Sequence, residues 1–277
     1  MLLSPLLALP TKAQDGVDVK PIPIEYIAPT NPAHRQIYET LKSNHILEKF
    51  QEFFRIFPMS KPFGFKLAGC DGEANAWFDP DDRMITVCYD YVAEAEKFAP
   101  KRTTRAGVSP EDAVIGPVVE TFLHEAAHAL FAVFEIPVLG REEDAADQVA
   151  AYSLLQLGDD MTRRMIGGVA YNLSAEAKHS KVNRKAFANE HGLPAQRFFN
   201  LVCIAYGAKP QLFADVVEKG YLPKDRAEGC EDEYSQVAYA VSTLLGPHMD
   251  KAVAAEKKAK LKTWKPAAYR QQPPRRK

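Results

Sequence analysis

Glu120-Thr-Phe-Leu-His124-Glu125-Ala-Ala-His128-Ala-Leu-Phe131 is the stretch on which the reading of this chain turns. Two histidines stand four residues apart inside a long apolar run, with a glutamate beside the first: the pattern H-E-x-x-H. On a helix that spacing puts both imidazoles on one face, about one turn apart. Two neutral imidazoles so placed can grip one zinc ion, and Glu125 can reach a water on that zinc. Such a water is a nucleophile near neutral pH, with the carboxylate as its base. From Val118 to Phe134 the chain is apolar on almost every face except at Glu120, His124, Glu125 and His128. A helix of that composition lies inside the protein. Its ionisable groups then need partners, and a metal supplies them.

Working outward, Ser109-Pro110-Glu111-Asp112 marks the helix start, with a serine cap and a proline in the first turn. Gly116-Pro117 predicts a kink or a restart. Ile136 to Gly140 breaks the helix, and a second runs from about Arg141 to Leu157. It carries Glu142, Glu143, Asp144 and Asp147. Glu143 and Asp147 share a face, so one carboxylate can complete the zinc shell while the other orients a ligand histidine. Reach allows it. The helix after His128 carries the chain roughly 10 Å away. The six residues from Ile136 to Arg141 span up to about 20 Å when extended. Acids at a helix N-terminus are also stabilised by the dipole, which is the plainer reading of the same cluster. Phe131 and Phe134 occupy the offsets where a metzincin has glycine and a third histidine, so that class is excluded.

The remaining pattern is α+β, mostly helical, with a small β-hairpin. Residues 1–30 are Pro-rich and read as an extended segment. Ile37, Leu41, Ile46, Leu47, Phe50, Phe53 and Phe54 recur at helical steps between Asn31 and Phe57. His34 and His45 on that helix read as surface or edge residues. Phe63–Leu67, Ala74–Phe78 and Met84–Tyr89 are β-prone, and Asp79-Pro80-Asp81-Asp82 is a turn between the last two. Residues 159–250 read as short helices, giving one domain over 31–250. Residues 251–277 read as a basic disordered tail.

Composition excludes some functions. The net charge is -1, with 35 basic and 36 acidic residues, so no nucleic-acid partner is expected. No apolar run is long enough for a membrane span. The four cysteines form two sequence-local pairs, Cys70 with Cys88 and Cys203 with Cys230, neither spaced C-x-x-C. Two disulfides would each contribute roughly 3 kcal/mol; four buried thiols are the alternative. Met1-Leu-Leu-Ser-Pro-Leu-Leu-Ala-Leu-Pro10 resembles the apolar end of a signal peptide, though without a basic segment before it. With the cysteines it predicts a secreted or periplasmic protein.

The set His124-Glu125-x-x-His128 followed by Glu143-x-x-x-Asp147 resembles the gluzincin class of zinc metallopeptidases. The chain is more closely similar to the bacterial "putative metallopeptidase" family, filed as a domain of unknown function. The matching segments are Cys70-x-x-x-x-Asn75-Ala76, Ile85-Thr-Val-Cys88-Tyr89, Pro137-Val-Leu-Gly140-Arg-Glu-Glu143-Asp, Cys203-x-x-Tyr206-Gly207, and Leu222-Pro223 through Arg226-Ala227-x-x-Cys230. The resemblance implies a zincin-like fold, export, Glu143 as third ligand beside His124 and His128, and Asp147 behind them. The gap from His128 to Glu143 is shorter than in the best-known gluzincins, and Asp147 as the ligand stays open. Asn75-Ala76 resembles the edge-strand dipeptide along which gluzincins lay a peptide, where backbone pairing would hold substrate. An ordinary hairpin residue is the alternative.

The expected function is therefore peptide-bond hydrolysis with one Zn2+ per chain, a peptide or protein substrate and Glu125 as general base. His191 is the leading donor to the oxyanion, ahead of Arg197 and Tyr152. Two other classes compete. A di-iron carboxylate protein would use Glu125-x-x-His128 and Glu176-x-x-His179. A non-catalytic cell-envelope binding or scaffold protein would keep the fold alone.

Overall fold

A computed structural model describes residues 19–261. The signal-peptide-like start and residues 262–277 of the basic tail lie outside the described residues. Residues 251–261, expected as the start of that tail, form a helix.

Four strands make one sheet: β1 (Ile24–Tyr26), β2 (Gly64–Ala68), β3 (Ala76–Asp79) and β4 (Met84–Cys88), in the order β1-β2-β4-β3. The hairpin forms between β3 and β4, whose turn is held by Asp79 and Asp82 carboxylates accepting from Asp81 N and Met84 N, both at 2.8 Å. β1, within the segment read only as extended, pairs parallel with β2, and β2 pairs parallel with β4. β3 is therefore an edge strand.

Helices α1 (Arg35–Ser43) and α2 (Ile46–Phe54) replace the single helix expected from residue 31 to 57. His45 separates them in the left-handed region at φ 52°. His34, expected at the surface, is buried, with Nε2 3.6 Å from Asp90 Oδ1. The same Asp90 opens α3 (Tyr89–Phe98) and accepts from Cys70 N at 2.9 Å and Gly72 N at 3.0 Å. With the Cys70–Cys88 disulfide it fastens the loop that feeds β3.

Helix α4 (Asp112–Val133) is the axis of the fold. Ser109 Oγ accepts from Asp112 N at 3.0 Å, which caps its start. The helix runs through Pro117 without interruption. Phe122 packs on Phe50 of α2 and Phe65 of β2, and Phe54 of α2 with Phe63 just before β2 extends the cluster, with adjacent rings 4.6–5.9 Å apart. On another side α4 crosses α6 (Asp159–His179) at backbone contact. A Cβ on Gly168 would stand 2.0 Å from the Asp112 carbonyl oxygen, so only glycine fits there.

The chain then adds α5 (Glu142–Leu155), which precedes α6, and α7 (Arg184–Phe187), α8 (Pro194–Ala208), α9 (Ala214–Glu218), α10 (Lys224–Ala227), α11 (Cys230–Leu244) and α12 (Lys251–Leu261) after it. The Cys203–Cys230 disulfide locks α8 to α11, with Cα atoms 5.1 Å apart. The result is the expected mostly helical α+β fold, with its small sheet beside the helix that carries His124. Among the described residues no helix is long and apolar enough to cross a membrane.

Candidate metal centre

Helix α4 presents His124 and His128 one turn apart toward the first two turns of α5. His124 Nδ1 lies 2.8 Å from Asp147 Oδ1, and His128 Nδ1 lies 2.7 Å from Glu142 Oε1. A carboxylate only accepts, so Asp147 and Glu142 favour the tautomers with the proton on Nδ1, which leave the Nε2 lone pairs available to a metal. The two Nε2 atoms face each other at 3.2 Å. Glu143 Oε2 stands 3.0 Å from His124 Nε2 and 3.5 Å from His128 Nε2. With Nδ1 protonated on both rings, the three facing atoms are all electron-rich and call for a cation between them, a metal or a proton. Ligand atoms at roughly 2.0–2.1 Å from a tetrahedral zinc are about 3.4 Å apart. The three separations match that spacing, so the residues fit a zinc ion.

Without a metal, a proton does the same work. Burial opposes charge on His124, but hydrogen bonds to Asp147 and Glu143 outweigh it and raise its pKa to about 10. The partner carboxylates respond in the opposite sense. The hydrogen bond from His124 holds Glu143 down to about 2, against the effect of its burial. Burial alone would raise Asp147, yet His124 and Arg197 hold it well below the usual carboxylate range.

Glu125 points the other way, toward the sheet. Burial pushes its carboxyl above the ordinary range, while His124, His128 and a hydrogen bond from the backbone of Phe78 pull it back. Phe78 belongs to the edge strand. Cys88 N donates to Asn75 O at 3.1 Å, so residues 75, 77 and 79 bond toward β4. By alternation, Ala76 and Phe78 direct their peptide groups to the free edge. Asn75 Oδ1 accepts from Ala76 N at 2.9 Å. The acid of the H-E-x-x-H pattern thus sits against the open side of β3.

The other predicted residues separate. His191, in the loop before α8, reaches Glu143 Oε2 with its Nε2 at 2.7 Å and stacks on His124 with ring centroids 5.6 Å apart. Burial pushes its pKa below the ordinary value. Arg197 gives two donors to Asp147, Nε to Oδ2 and Nη2 to Oδ1, each at 2.7 Å. It is engaged behind His124. Tyr152 is elsewhere: it lines an apolar cavity of about 660 Å3 with Phe53, Phe57, Leu245 and Met249, and stacks on Tyr234. Sequence reasoning gave Glu142 no role of its own, although it belonged to the acidic cluster. It also missed Arg197's fork, although Arg197 is the sole charged residue in α8.

The family model described as "Putative metallopeptidase" (DUF4344) matches residues 26–245. The chain belongs to that family. The match takes in α1 through α11, strands β2 to β4 and both disulfides, and leaves α12 outside. No curated protein and no solved structure matches the chain.

Proposed function

We propose that this protein is a zinc-dependent peptide hydrolase of the gluzincin type. The observation that carries the reading is the convergence of His124 Nε2, His128 Nε2 and Glu143 Oε2 at 3.0–3.5 Å, with both Nδ1 atoms held by carboxylates. Glu143 supplies the third ligand, because Asp147 is spent on Nδ1 of His124, on the side of the ring away from Nε2. Zinc, when bound, supplies a Lewis acid that lowers the pKa of water and polarises a carbonyl. The chain's own groups do the rest.

A peptide would extend the sheet along the free edge of β3, pairing with the backbone of Ala76 and with the side chain of Asn75 free to shift onto it. Glu125, beside that edge, takes the proton of the attacking water and delivers it to the leaving amine. Its raised pKa suits a group that must hold the proton between those two steps. His191 donates to the oxygen that gains charge as the carbonyl is attacked. Two disulfides fit an oxidising compartment, and we assign the protein to the periplasm or the exterior.

The di-iron reading has no such support. Glu176 accepts from Asn172 at 2.5 Å, and His179 Nδ1 donates to the carbonyl of Ala175 in its own helix. A non-catalytic binding protein would keep the same metal and fold, so activity must decide. Metal analysis of the purified chain should return about one zinc. Glu125→Gln should keep that zinc and lose 10²-fold or more of its cleavage of a peptide library, on the order expected for a general base. Cleavage at the wild-type rate by Glu125→Gln would sink the mechanism. A wild-type protein that holds zinc and cleaves no member of the library would favour the binding protein.

A further inference from the structure

Asp147 holds His124, but Asp147 must itself be held. A carboxylate with one partner can turn about its Cβ–Cγ bond, and with it the direction of its lone pairs. Arg197 removes that freedom. Its Nε and Nη2 take both oxygens of Asp147 at 2.7 Å, the planar fork that fixes a carboxylate most firmly. Oδ1 then serves two donors at once, Arg197 Nη2 and His124 Nδ1. Nη2 also lies 3.7 Å from Glu120 Oε1, one turn before His124 on α4. The guanidinium therefore ties α8 to both helices of the centre. Its side chain is only 20% exposed and that of Glu120 11%, so little solvent screens the contacts.

We propose that Arg197 is a positioning residue of the metal centre: by fixing the plane of Asp147 it fixes the direction of the His124 Nε2 lone pair. The proposal rests on the metal-centre reading above. It also explains how α8 enters the site. His191 stands three residues before the start of α8 and Arg197 within its first turn, so the fork that seats Asp147 also brings His191 to Glu143. Removing the fork would leave Asp147 free to rotate and facing Glu120 with no cation between them. The alternative role, a donor to substrate, would leave metal binding untouched, because it requires the guanidinium to face the reacting carbonyl.

The test is zinc affinity, measured on the full chain at fixed pH by competition with a chromophoric chelator. Asp147→Ala should weaken binding by 10–100-fold, the usual loss when a partner of a ligand histidine is removed. Arg197→Ala should weaken it by about 10-fold. The double variant should match Asp147→Ala within about threefold, because Arg197 acts through Asp147. Arg197→Lys, which keeps charge without the fork, should fall between wild type and Arg197→Ala, and it carries the test if Arg197→Ala does not fold. Independent losses that multiply in the double variant would overturn the proposal, as would Arg197→Ala or Arg197→Lys binding zinc as wild type does. If wild type holds no zinc, or His124→Ala holds it unchanged, the metal-centre reading fails first and takes the proposal with it.

Discussion

The two walls of the candidate site are built from different materials. One wall is the edge of β3, where Ala76 and Phe78 turn peptide groups to the open side and Glu125 lies against them. The other is α5 with the start of α8, where Glu142, Glu143, Asp147, His191 and Arg197 form a chain of ionic hydrogen bonds around two histidines. The first wall offers backbone and tolerates many side chains. The second depends on particular charges at particular distances. Changes to the charged wall should therefore alter what the centre holds, and changes to the edge should alter what it accepts.

The largest effect belongs to the charged wall. Glu143→Ala should drop zinc content from about one per chain to near zero under chelator competition, with activity lost in step. Retained zinc in that variant, together with loss in Asp147→Ala, would transfer the third-ligand role to Asp147. His191→Gln comes next and splits the wall in two. As a donor to the oxyanion, its loss should lower kcat by 10²–10³-fold, on the order of other such donors, and leave zinc affinity unchanged. A fall in affinity would instead give His191 a part in holding the metal, as a ligand or as the donor that seats Glu143 Oε2 at 2.7 Å, and the comparison would then have to count it with the charged groups of α5. Ala76→Pro tests the other wall. Its N–H faces away from β4, so proline spares the ladder while blocking the edge. We expect KM to rise by about 10-fold, the cost of roughly one backbone hydrogen bond, with zinc affinity and thermal midpoint close to wild type. An unchanged KM would remove β3 from the substrate path.

The two walls also differ in how far they can be read from the sequence. His124, Glu125 and His128 are legible because a helix turns a four-residue spacing into a shared face, and Glu143 and Asp147 follow by the same rule one helix later. The hairpin is legible because its turn residues are local. β1 is not, since three residues acquire strand geometry only by pairing with β2, 41 positions away at Ile24↔Phe65. The parallel pairing of β2 with β4 is equally hidden, because β3 intervenes in sequence but lies at the edge in space. The break at His45 depends on one left-handed backbone angle, adopted without the glycine that usually signals it. Glu142 and Arg197 are ordinary surface residue types until α5 and α8 are packed. Their roles follow from where the helices start, and helix starts are the least determined feature of a periodic pattern.

The smallest predicted effect distinguishes the walls by titration. In chelator-treated protein His124 carries a proton between Asp147 and Glu143, with its pKa raised from 6.5 to about 10. A raised histidine contributes stability that is whole below its unfolded value and is lost as pH climbs through the folded one. The chelated protein should therefore lose stability between about pH 6.5 and 10. Glu120, which burial raises to about 7, loses its own contribution earlier, between 4.5 and 7, so the decline above pH 7 belongs to His124. Glu143, held near 2, changes nothing in that window. With zinc bound, the metal replaces the proton on His124 and that decline should vanish. Thermal midpoints measured from pH 7 to 10 with zinc and with chelator should diverge as pH rises, and zinc binding at pH 8 should release at least one proton per site, that of His124, with a further one where a zinc-bound water ionises. Parallel curves would mean that His124 is already neutral in the chelated fold. In that case the 3.0 Å contact between His124 Nε2 and Glu143 is held by something other than a shared proton.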